Sequence, residues 1–507
     1  MRLLPYGRSA VLLELDGLPA VLAALPLVGG IDGVAEVVPA ARTLLIKALP
    51  GRLDAVRAAL ARFAVDARDL PQPTRVVEIP VVYDGGDLDE ISHLTGLSTD
   101  RVVAAHTGRP WRVAFGGFAP GFAYLVGGDR RLAVPRRPTP RTRVPAGSVG
   151  LAGEFSGVYP TASPGGWQLL GRTGAALFDP TASPPALLTP GTEVHFRAVE
   201  HLVEVPAGPA PAPAAPAPAA AERELIVVAA RFPVLTQDRG RPGYAAVGVG
   251  TSGAADLDAL ALGARLVGNG ADDAALEITL GGAEFEATAV LTCALTGAAA
   301  PAAVIAGGQR RAVSHRTLFT LAAGERLVVG EPARGLRTYL SVRGGVAVPP
   351  VLGSRSRDTL AGLGPEPLSD GARVPIGAAT TGWIPPTDWA PEPGEPAVVE
   401  LTYTLGPRHA WVGEADGTQW VVSSELDRVG VRLAGEPLAR LRGGELPSEG
   451  AVRGAIQVPP SGQPVLFLAD HPLTGGYPVV GVLTAEAMSR AAQLRPGDAV
   501  RLRLLAS

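Results

Sequence analysis

The stretch from Pro140 to Thr173, PRTRVPAGSVGLAGEFSGVYPTASPGGWQLLGRT, limits the fold more than any other part of the chain. Glycine or proline interrupts it every few residues, and its apolar residues do not recur with a helical period. Short β-branched and aromatic segments between such interruptions predict short strands joined by tight turns. The pattern therefore indicates a β-rich barrel or sandwich, whose glycines let the backbone turn sharply or approach a ligand closely.

An aromatic loop precedes this stretch. Trp111 to Leu125 reads WRVAFGGFAPGFAYL, in which a strand of alternating type leads into a Gly/Pro loop that carries Phe118, Phe122 and Tyr124. Several aromatic side chains on one loop are unfavourable to expose unless something covers them. A fainter echo lies near the C-terminus, where residues 454–467 align with 157–170 after one insertion, which indicates related barrels in the two halves.

The composition excludes several functional classes. The 507 residues are 47% hydrophobic with a formal net charge of −3, which allows several domains and gives no basic excess for nucleic acid. No apolar run reaches the roughly 18 residues of a membrane span, and the N-terminus lacks the pattern of a secretion signal. We therefore expect a cytoplasmic protein. Cys293 is the single cysteine, which excludes a disulfide framework and a cysteine zinc cluster.

Lysine is almost absent, and this excludes the classes of functional site that require a lysine. Of the 45 basic residues only Lys47 is a lysine, and it lies in the strand-like segment TLLIKALP. A phosphate-binding loop that ends in Gly-Lys-Ser/Thr, a Met-Lys-Met biotin attachment site and a Ser-Ser-Lys amidase are all excluded. Phosphate binding must then use arginine, backbone N–H groups and metal. The sequence also contains no G-x-S-x-G elbow and no Cys/His pair of suitable spacing for a covalent nucleophile.

Composition shifts divide the chain into six segments. Residues 1–72 are predicted to form a small α/β domain and 73–204 a β domain, which carries short helices near 88–94 and 98–106. A Pro/Ala linker at 205–222 cannot build a core and marks the clearest boundary. A first β lobe at 223–365 and a second at 396–507 follow, joined by a Pro/Trp-rich bridge at 366–395.

Motifs in the first half resemble the B subunit of bacterial ATP-dependent 5-oxoprolinase, a family also called Kip-inhibitor-like or allophanate hydrolase subunit 1. The resemblance rests on a long spaced pattern: Phe118-x-Pro120-Gly121-Phe122-x-Tyr124, Pro135-Arg136, Pro140-Arg141, Val144-Pro145-Ala146-Gly147-Ser148-Val149, Tyr159-Pro160, Ser163-Pro164-Gly165-Gly166-Trp167 and Gly171-Arg172-Thr173. The family also carries a histidine at the position of His106, so the resemblance favours a His106 that faces the aromatic loop.

Motifs after the linker resemble the C subunit of the same enzyme, also called Kip-antagonist-like or allophanate hydrolase subunit 2. They run in the family's order: Thr236 to Gly243, Gly248 to Asp256, Leu276 to Gly282, Tyr339 to Gly345, Leu352 to Ser356, Glu449-Gly450, Gly454 to Pro459, Asp470 and Thr474 to Pro478. One departure stands out, because His471-Pro472-Leu473 replaces the Arg-Gln-Thr or similar residues that family members commonly have. The polar residues common in the family are therefore replaced at that point.

The resemblance implies a fold and a reaction. The fold is mainly β with some α: one cyclophilin-like barrel in the first half, two in the second, and the small N-terminal α/β domain. The reaction is the ring-opening of 5-oxoproline to L-glutamate with ATP and Mg²⁺, together with a separate A subunit and without covalently attached biotin. Two alternatives remain, a carboxyl-transfer module of the urea amidolyase type and a regulatory binding protein that inhibits a histidine kinase. A homo-oligomer also stays open.

Activation of an amide by ATP needs cations and N–H donors, and this selects the candidate residues. We predict catalytic roles for His106, Arg141, Arg172, Asp238 and Asp470. Arginines are candidates for bidentate contacts to phosphate or carboxylate, while Asp238, Asp256, Glu277 and Asp470 are candidates to hold Mg²⁺. The competing interpretations are structural clamps for the arginines and helix caps or loop hydrogen bonds for the acids.

Substrate binding is predicted for a larger set. In the first half we expect a groove lined by Phe118, Phe122, Tyr124, Arg141, Ser148 and Trp167, with His106 near its mouth. The full set of predicted binding residues is Phe118, Pro120, Gly121, Phe122, Tyr124, Arg136, Ser148, Tyr159, Gly165, Gly166, Trp167, Gln237, Arg241, Ser252, Gly253, Asp256, Glu277, Gln457, Thr474, Gly475 and Gly476. No dedicated protein metal site is predicted.

Overall fold

The computed structural model describes residues 1–66, 72, 73, 75–202, 222–378, 382–384, 397–444 and 446–505. Nearly all of the Pro/Ala linker and much of the predicted bridge lie outside these ranges. Strands far outnumber helices within them, which confirms the mainly β class with some α structure. No helix in the described part of the chain is long and apolar enough to cross a membrane.

The N-terminal unit, residues 1–66, is a four-stranded antiparallel sheet in the order β1-β2-β4-β3 with two helices. Its helix α2 presents Val56 and Leu60 to the core, as their helical spacing predicts. The elements are β1 (Arg2–Tyr6), β2 (Ala10–Glu14), α1 (Leu18–Gly29), β3 (Val34–Pro39), β4 (Thr43–Ala48) and α2 (Leu53–Ala61).

The aromatic-loop unit, residues 75–202, is built on a seven-stranded sheet in the order β12-β9-β10-β7-β6-β13-β5, with the two-stranded sheet β8/β11 beside it. Its two helices lie close to their predicted positions, and α4 follows Ser98 and ends before Gly108. The elements are β5 (Val76–Val81), α3 (Leu88–Thr95), α4 (Thr99–Thr107), β6 (Trp111–Gly116), β7 (Ala123–Val126), β8 (Arg141–Val144), β9 (Ser148–Ala152), β10 (Phe155–Val158), β11 (Ser163–Gly165), β12 (Gln168–Arg172) and β13 (Glu193–Ala198).

The two-sheet unit, residues 222–378, packs a six-stranded sheet, β20-β19-β22-β17-β14-β24, and a five-stranded sheet, β15-β16-β23-β18-β21, around one apolar core. The elements are β14 (Glu224–Ala230), β15 (Val234–Gln237), α5 (Leu257–Val267), β16 (Ala275–Thr279), β17 (Ala283–Ala287), β18 (Leu291–Gly297), β19 (Ala302–Ala306), β20 (Gln309–Val313), β21 (Leu318–Leu321), β22 (Arg326–Val329), β23 (Arg337–Val342) and β24 (Arg373–Pro375).

The barrel unit, residues 397–505, is a closed barrel in the order β25-β32-β29-β30-β27-β26-β33, with the small two-stranded sheet β28/β31 outside it. Helix α6 begins after Thr484, whose side chain accepts a hydrogen bond from the N–H of Ala487. The elements are β25 (Val398–Leu405), β26 (Gln419–Leu426), β27 (Gly430–Ala434), β28 (Glu449–Gly450), β29 (Ala455–Gln457), β30 (Val465–Phe467), β31 (Thr474–Gly475), β32 (Val479–Leu483), α6 (Ala485–Ala491) and β33 (Ala499–Leu504).

The N-terminal unit packs directly on the barrel unit, so the two halves of the chain meet. Tyr6 is buried between them and donates a hydrogen bond to the carbonyl of Gly450 at 3.0 Å. The buried Arg408 of the barrel unit contacts Glu14 at 2.7 Å and also pairs with Glu449. Apolar side chains from both units surround these polar contacts in one shared cluster, and this contact positions the site described next.

Candidate functional site

The aromatic residues predicted to line a groove do come together. Phe122 lies at the centre of the group, with ring centroids 5.3 Å from Phe118, 5.1 Å from Tyr124, 5.4 Å from Tyr159 and 5.4 Å from Trp167, all nearly edge to face. Such arrangements place the positive edge of one ring against the negative face of the next. All of them except Phe118 are buried, so the group is largely a small core and Phe118 is its exposed member.

Phe118 is held in an uncommon backbone conformation. Its φ is +67° and its side chain is 43% exposed. A bulky residue in the left-handed region costs about 1–3 kcal/mol and persists only where its surroundings fix it. Neighbouring backbone contacts supply that fixation, because the N–H of Gly121 donates to the carbonyl of Val247 and the carbonyl of Ala119 leaves no room for a Cβ at Gly248.

Arg141 forms a structural clamp in this structure. Its guanidinium and that of Arg137 both donate to the buried carboxylate of Asp87, at 2.7 and 2.6 Å, and the N–H of Leu169 donates to the other oxygen at 2.7 Å. Burial alone would raise the pKa of Asp87, but these hydrogen bonds hold it below its usual range. The contacts therefore favour the clamp, and the catalytic role of Arg141 in the groove stays a prediction.

His106 lies away from the aromatic loop. It is fully buried, its Nδ1 is 2.7 Å from the hydroxyl of Tyr83, its Nε2 is 2.9 Å from that of Ser156, and its ring stacks on Phe196. Burial lowers the pKa of His106 to about 3. The expectation of a histidine at the mouth of the groove is wrong, because α4 turns this side chain into the core beside β13.

Other predicted residues of the first half have structural positions. Arg172 pairs on the surface with Asp84 at 2.8 Å, and Ser148 is buried in β9 with its carbonyl accepting from the N–H of Tyr159. Gly165 is required by space, because a Cβ there would lie 2.4 Å from the hydroxyl oxygen of Tyr159. The carbonyl of Gly166 accepts from the N–H of Arg137 at 2.8 Å.

Arg136 is the predicted cation that stays exposed beside the aromatic group. Burial raises the pKa of the Tyr124 phenol, and the positive charge of Arg136 partly offsets this effect. The same charge acts on Tyr159, whose pKa burial raises to about 12. Among the described residues no carboxylate forms an ion pair with Arg136, so its guanidinium is available to an anionic ligand.

A buried polar network joins the two-sheet unit to the barrel unit. Its hub is Arg428, which donates to both oxygens of Asp470, at 2.9 and 3.1 Å, to Glu277 at 2.5 Å and to the carbonyl of Gly253 at 2.5 Å. The hydroxyl of Ser252, a residue with φ of +54°, also donates to Asp470, at 2.6 Å. The sequence predicted the acids but missed Arg428, which lies in the turn between β26 and β27 outside any motif.

The predicted acids are all held by protein donors. Asp238 accepts from the hydroxyls of Ser354 and Ser356, and Asp256 caps α5 by accepting from the N–H of Ala259 at 2.9 Å. Glu277 accepts from the hydroxyl of Tyr339 at 2.6 Å and the N–H of Ala255 at 2.9 Å. Burial would raise the pKa values of Glu277 and Asp470, but the charge of Arg428 holds both low.

These carboxylates do not fit a magnesium ion. Mg²⁺ needs carboxylate oxygens free to enter an octahedral shell, and the oxygens of Asp238, Glu277 and Asp470 already accept hydrogen bonds from arginine, hydroxyl and N–H donors. No group of three or more metal-ligating side chains with suitable geometry occurs in the ranges that the structure describes. The hydrogen bonds of these acids therefore do not favour a bound Mg²⁺, and its assignment to them stays a prediction.

The remaining predicted residues line turns that hold the units together. The side-chain amide of Gln237 donates to the carbonyl of Arg357 at 2.9 Å, and that of Gln457 to the carbonyl of Tyr477 at 3.3 Å. Thr474 and Gly475 form the short strand β31, which pairs with β28. Thr474 lies against Gly117 of the aromatic loop, where a Cβ would come within 2.9 Å of the threonine hydroxyl. Gly476 is exposed beside this strand.

A small cleft, the junction cleft, opens where three units meet. The aromatic-loop unit, the two-sheet unit and the barrel unit each contribute lining residues: Phe118 and Pro120; Gly248, Gly250, Asp358, Leu360 and Ala361; and His471, Pro472 and Leu473. The residues that depart from the family pattern, His471 to Leu473, thus form one wall.

Asp358 is the acidic group of the junction cleft, and the sequence did not single it out. Burial, reinforced by the negative charge of Asp470, raises the pKa of Asp358 to about 6. His471 stacks on Phe467, and burial lowers its pKa to about 4. Behind Asp358 lies Arg241, whose Nη1 is fully buried without a hydrogen-bond partner among the described residues. The motif from Leu352 to Ser356 ends two residues before Asp358, which is why this residue was missed.

Comparisons with known proteins identify the family. Residues 247–504 match the model of the carboxyltransferase domain, subdomains A and B, and residues 1–188 match that of subdomains C and D. The chain is similar to the 5-oxoprolinase B subunit of Bacillus subtilis (strain 168), at 48% identity over 138 residues, which cover 27% of this chain and 58% of the relative. It therefore spans less than two thirds of that relative. It is also similar to the 5-oxoprolinase C subunit of Escherichia coli (strain K12), at 34% identity over 287 residues, which cover 54% and 89%.

Two further comparisons extend this result. The crystal structure of TTHA0988 superposes with a TM-score of 0.83 at 34% identity and covers 97% of this chain and 99% of that one. Urea amidolyase of Lachancea kluyveri is 28% identical over 293 residues, 52% of this chain and 16% of the relative. The resemblance predicted from the motifs is thus confirmed. The chain belongs to the carboxyltransferase-domain family and joins in one polypeptide the counterparts of the B and C subunits of 5-oxoprolinase.

Proposed function

We propose that the chain is the fused B and C component of an ATP-dependent 5-oxoprolinase. It would activate 5-oxoproline with ATP, and a separate A subunit would complete the ring-opening to L-glutamate. The observation that carries this proposal is the junction cleft, whose walls come from both halves of a chain that matches both subunits. A site shared in this way gives a physical reason for the two halves to act as one body.

The lining of the junction cleft suits a small cyclic amide. Phe118, Pro120, Leu360 and Leu473 give apolar walls for the ring carbons, and Asp358 gives a polar group to orient the amide. Activation would move the γ-phosphoryl group of ATP to the amide oxygen, with release of ADP and loss of the amide proton. Such a transfer depends on positioning and charge neutralisation and needs no protein nucleophile.

Arg136 is the cation of the first half that we assign to phosphate or to the substrate carboxylate. Its guanidinium is exposed beside the phenols of Tyr124 and Tyr159, whereas Arg137 and Arg141 are engaged by Asp87 and Arg172 by Asp84. A planar guanidinium offers two parallel N–H donors to such groups, which an ammonium cannot reproduce. When bound, Mg²⁺ would arrive with ATP and be held chiefly by the phosphates.

Reconstitution tests this function. The purified chain is mixed with a 5-oxoprolinase A subunit, ATP, Mg²⁺ and 5-oxoproline, and glutamate and ADP are measured while each component is omitted in turn. We expect stoichiometric glutamate and ADP only in the complete mixture, and little turnover by the chain alone. Arg136→Ala should reduce the rate, with the exposed Arg143→Ala as a matched control. Amide hydrolysis by the chain without ATP or partner would overturn the proposal.

A carboxyl-transfer function is the second candidate, favoured by the matches to carboxyltransferase-domain models and to urea amidolyase. It would require carboxybiotin on another chain, because this sequence has no biotin attachment lysine. The same preparation is therefore assayed with a carboxylated biotin carrier and urea. Carboxyl transfer to urea in this assay, without glutamate formation in the first, would select this alternative.

A further inference from the structure

Asp358 has one carboxylate oxygen committed and one open. Its Oδ1 accepts from the N–H groups of Leu360 and Ala361, at 3.0 and 2.9 Å. Its Oδ2 lies 3.9 Å from Nη1 of Arg241, beyond hydrogen-bond distance, and no other hydrogen bond within the described residues reaches it. The first pair of contacts fixes the carboxyl group in the lining of the junction cleft, and the second oxygen stays available to a ligand.

The charged groups around Oδ2 of Asp358 determine how it can interact with a ligand. Arg241 is buried behind Asp358, one of its guanidinium nitrogens has no hydrogen-bond partner among the described residues, and Asp358, Asp238 and Asp470 act on its charge. Asp470 opposes that charge, but Arg428 holds Asp470 in turn through two hydrogen bonds. A buried donor and acceptor that do not meet each other are costly unless a ligand or water satisfies them.

We propose that Asp358 is a substrate-contacting residue of the junction cleft and that its Oδ2 accepts the N–H of a small cyclic amide. This inference rests on the proposed function for the class of ligand and deepens it by naming the group that binds the amide nitrogen. In the activation step Oδ2 is placed to take the amide proton as the amide oxygen gains its phosphoryl group. Arg241 acts as a positioning residue that stabilises the carboxylate from behind.

Direct binding to the full chain, without ATP or A subunit, tests the contact. The probes are 5-oxoproline, 2-pyrrolidone and N-methyl-2-pyrrolidone, measured by calorimetry or ligand-observed NMR at pH 8. We expect both lactams with an N–H to bind and the N-methylated one to bind about tenfold to a hundredfold more weakly, the usual effect of a lost charged hydrogen bond. Equal binding of 2-pyrrolidone and its N-methyl form, or no binding by either N–H lactam, overturns the inference.

Two variants and a pH series separate contact from structure. Asp358→Asn keeps an Oδ1 acceptor for Leu360 and Ala361 and should weaken lactam binding by a similar factor with an intact fold, whereas Glu286→Gln, at a surface pair with Arg326, should change nothing. The charged groups that face Asp358 are Arg241, Asp470 and Arg428, and His471 stays neutral above its pKa of about 4. Binding to the unsubstituted chain should therefore fall between pH 8 and pH 5, and Asp358→Asn should lose this dependence.

The outcomes distinguish this inference from the proposed function. Suppose that the reconstituted system forms glutamate, and that Asp358→Asn keeps full activity and an unchanged lactam affinity. This result would overturn the inference and leave the proposed function standing. Lactam binding that depends on Asp358, in a chain that forms no glutamate with the A subunit, would support the contact and overturn only the assigned reaction.

Discussion

At the scale of single residues, the structure separates arginines and acids that look alike in the sequence. Arg141 and Arg137 hold a buried carboxylate, whereas Arg136 beside them is exposed. Asp470 is saturated by donors, whereas Asp358 keeps an open oxygen toward the junction cleft. The partner that each charge finds, and not its place in a motif, decides whether it is structural or available to a ligand.

Asp358 should cost the protein stability above neutral pH. Its pKa is about 6 in the fold against 3.8 ordinarily, so the folded state binds this proton more tightly than the unfolded chain does. The ionised form therefore destabilises the fold above about pH 6, and the penalty vanishes as the pH falls below about 4. We expect Asp358→Asn to raise the unfolding free energy by up to about 2–3 kcal/mol at pH 8 and by little at pH 4.

Urea unfolding at both pH values measures this effect, with Glu286→Gln as the control. A variant that loses stability at pH 8 would contradict the assignment of Asp358 as a strained, buried carboxylate. A gain at pH 8 together with weaker lactam binding would show a site that trades stability for ligand contact.

Substitution of Arg141 tests whether this arginine is a structural clamp on Asp87. Asp87 is almost fully buried, so removal of one of its two arginines should cost about 1.5–3 kcal/mol. We expect Arg141→Ala to lower the thermal midpoint and the coupled ATPase rate together, and Arg141→Lys to restore only part of either because one ammonium cannot reproduce the guanidinium geometry. Arg143→Ala, at an exposed arginine of the same strand, should leave both unchanged.

An unchanged midpoint with a lost rate in Arg141→Ala would instead restore the binding role predicted from the sequence. Because Asp87 has a lowered pKa, its contribution to stability is present above the ordinary range of an aspartate and is lost as the pH falls through the folded value. The difference between the unsubstituted chain and Arg141→Ala should therefore shrink in acid.

At the scale of elements, hairpins and turns bring the site together. The loop between β6 and β7 carries Phe118, and the turn between β26 and β27 carries Arg428, which reaches Glu277 on β16 and Asp470 after β30. Arg428 thus ties the barrel unit to the two-sheet unit through buried charges. Burial disfavours its charged form, but the charges of Glu277 and Asp470 raise its pKa well above the usual range.

Substitution of Arg428 should lower the stability of the contact between the barrel unit and the two-sheet unit. Arg428→Met leaves two buried carboxylates without their cation, and breaking such a buried network typically costs about 3–5 kcal/mol. Arg432→Met is the matched control, because Arg432 lies on β27 of the same unit and pairs with Glu425 on the surface, where such pairs contribute roughly 0–1 kcal/mol. Equal unfolding midpoints in urea for the two variants would contradict a structural role for Arg428.

The sequence predicted some of these elements and missed others for physical reasons. The Gly/Pro pattern and the spaced aromatics were enough to predict short strands and the gathering of Phe118, Phe122 and Trp167, because these residues lie in loops next to β6, β7 and β12, which belong to one sheet. The orientation of His106 depended on which face of α4 packs against β13, which its own helix does not encode. Arg428 and Glu277 are 151 residues apart and meet only after two units dock, so no local pattern could predict their contact.

At the scale of the whole molecule, the two halves form one body around the junction cleft. The N-terminal unit and the barrel unit share an apolar cluster, and Arg408 pairs with a glutamate from each half. An interface of apolar core and paired charge holds without a covalent connection when it is well packed. The linker predicted at 205–222 would then be dispensable for association.

Limited proteolysis tests this. We expect the first cuts within residues 206–222 and two fragments that elute together on size exclusion, because the shared cluster and Arg408 join them. In the cut protein, Arg408→Ala should separate the fragments, since it leaves Glu14 and the buried Glu449 without their partner. Arg2→Ala, which removes a surface contact to Glu14, is the control. First cuts inside 118–173 or 237–281 would refute the division into two halves.

The contact between Tyr6 and Gly450 also implies a delay during synthesis, because its two partners are translated at very different times. Tyr6 leaves the ribosome 444 residues before the carbonyl that accepts its hydrogen bond, which at 5–20 residues per second is an interval of roughly 20 to 90 seconds. Throughout that interval the N-terminal sheet has been synthesised, but the barrel unit that packs on its apolar face has not. We therefore expect a chaperone that binds this apolar face during translation to raise the yield of folded protein. Chains truncated before the barrel unit should aggregate through the same face.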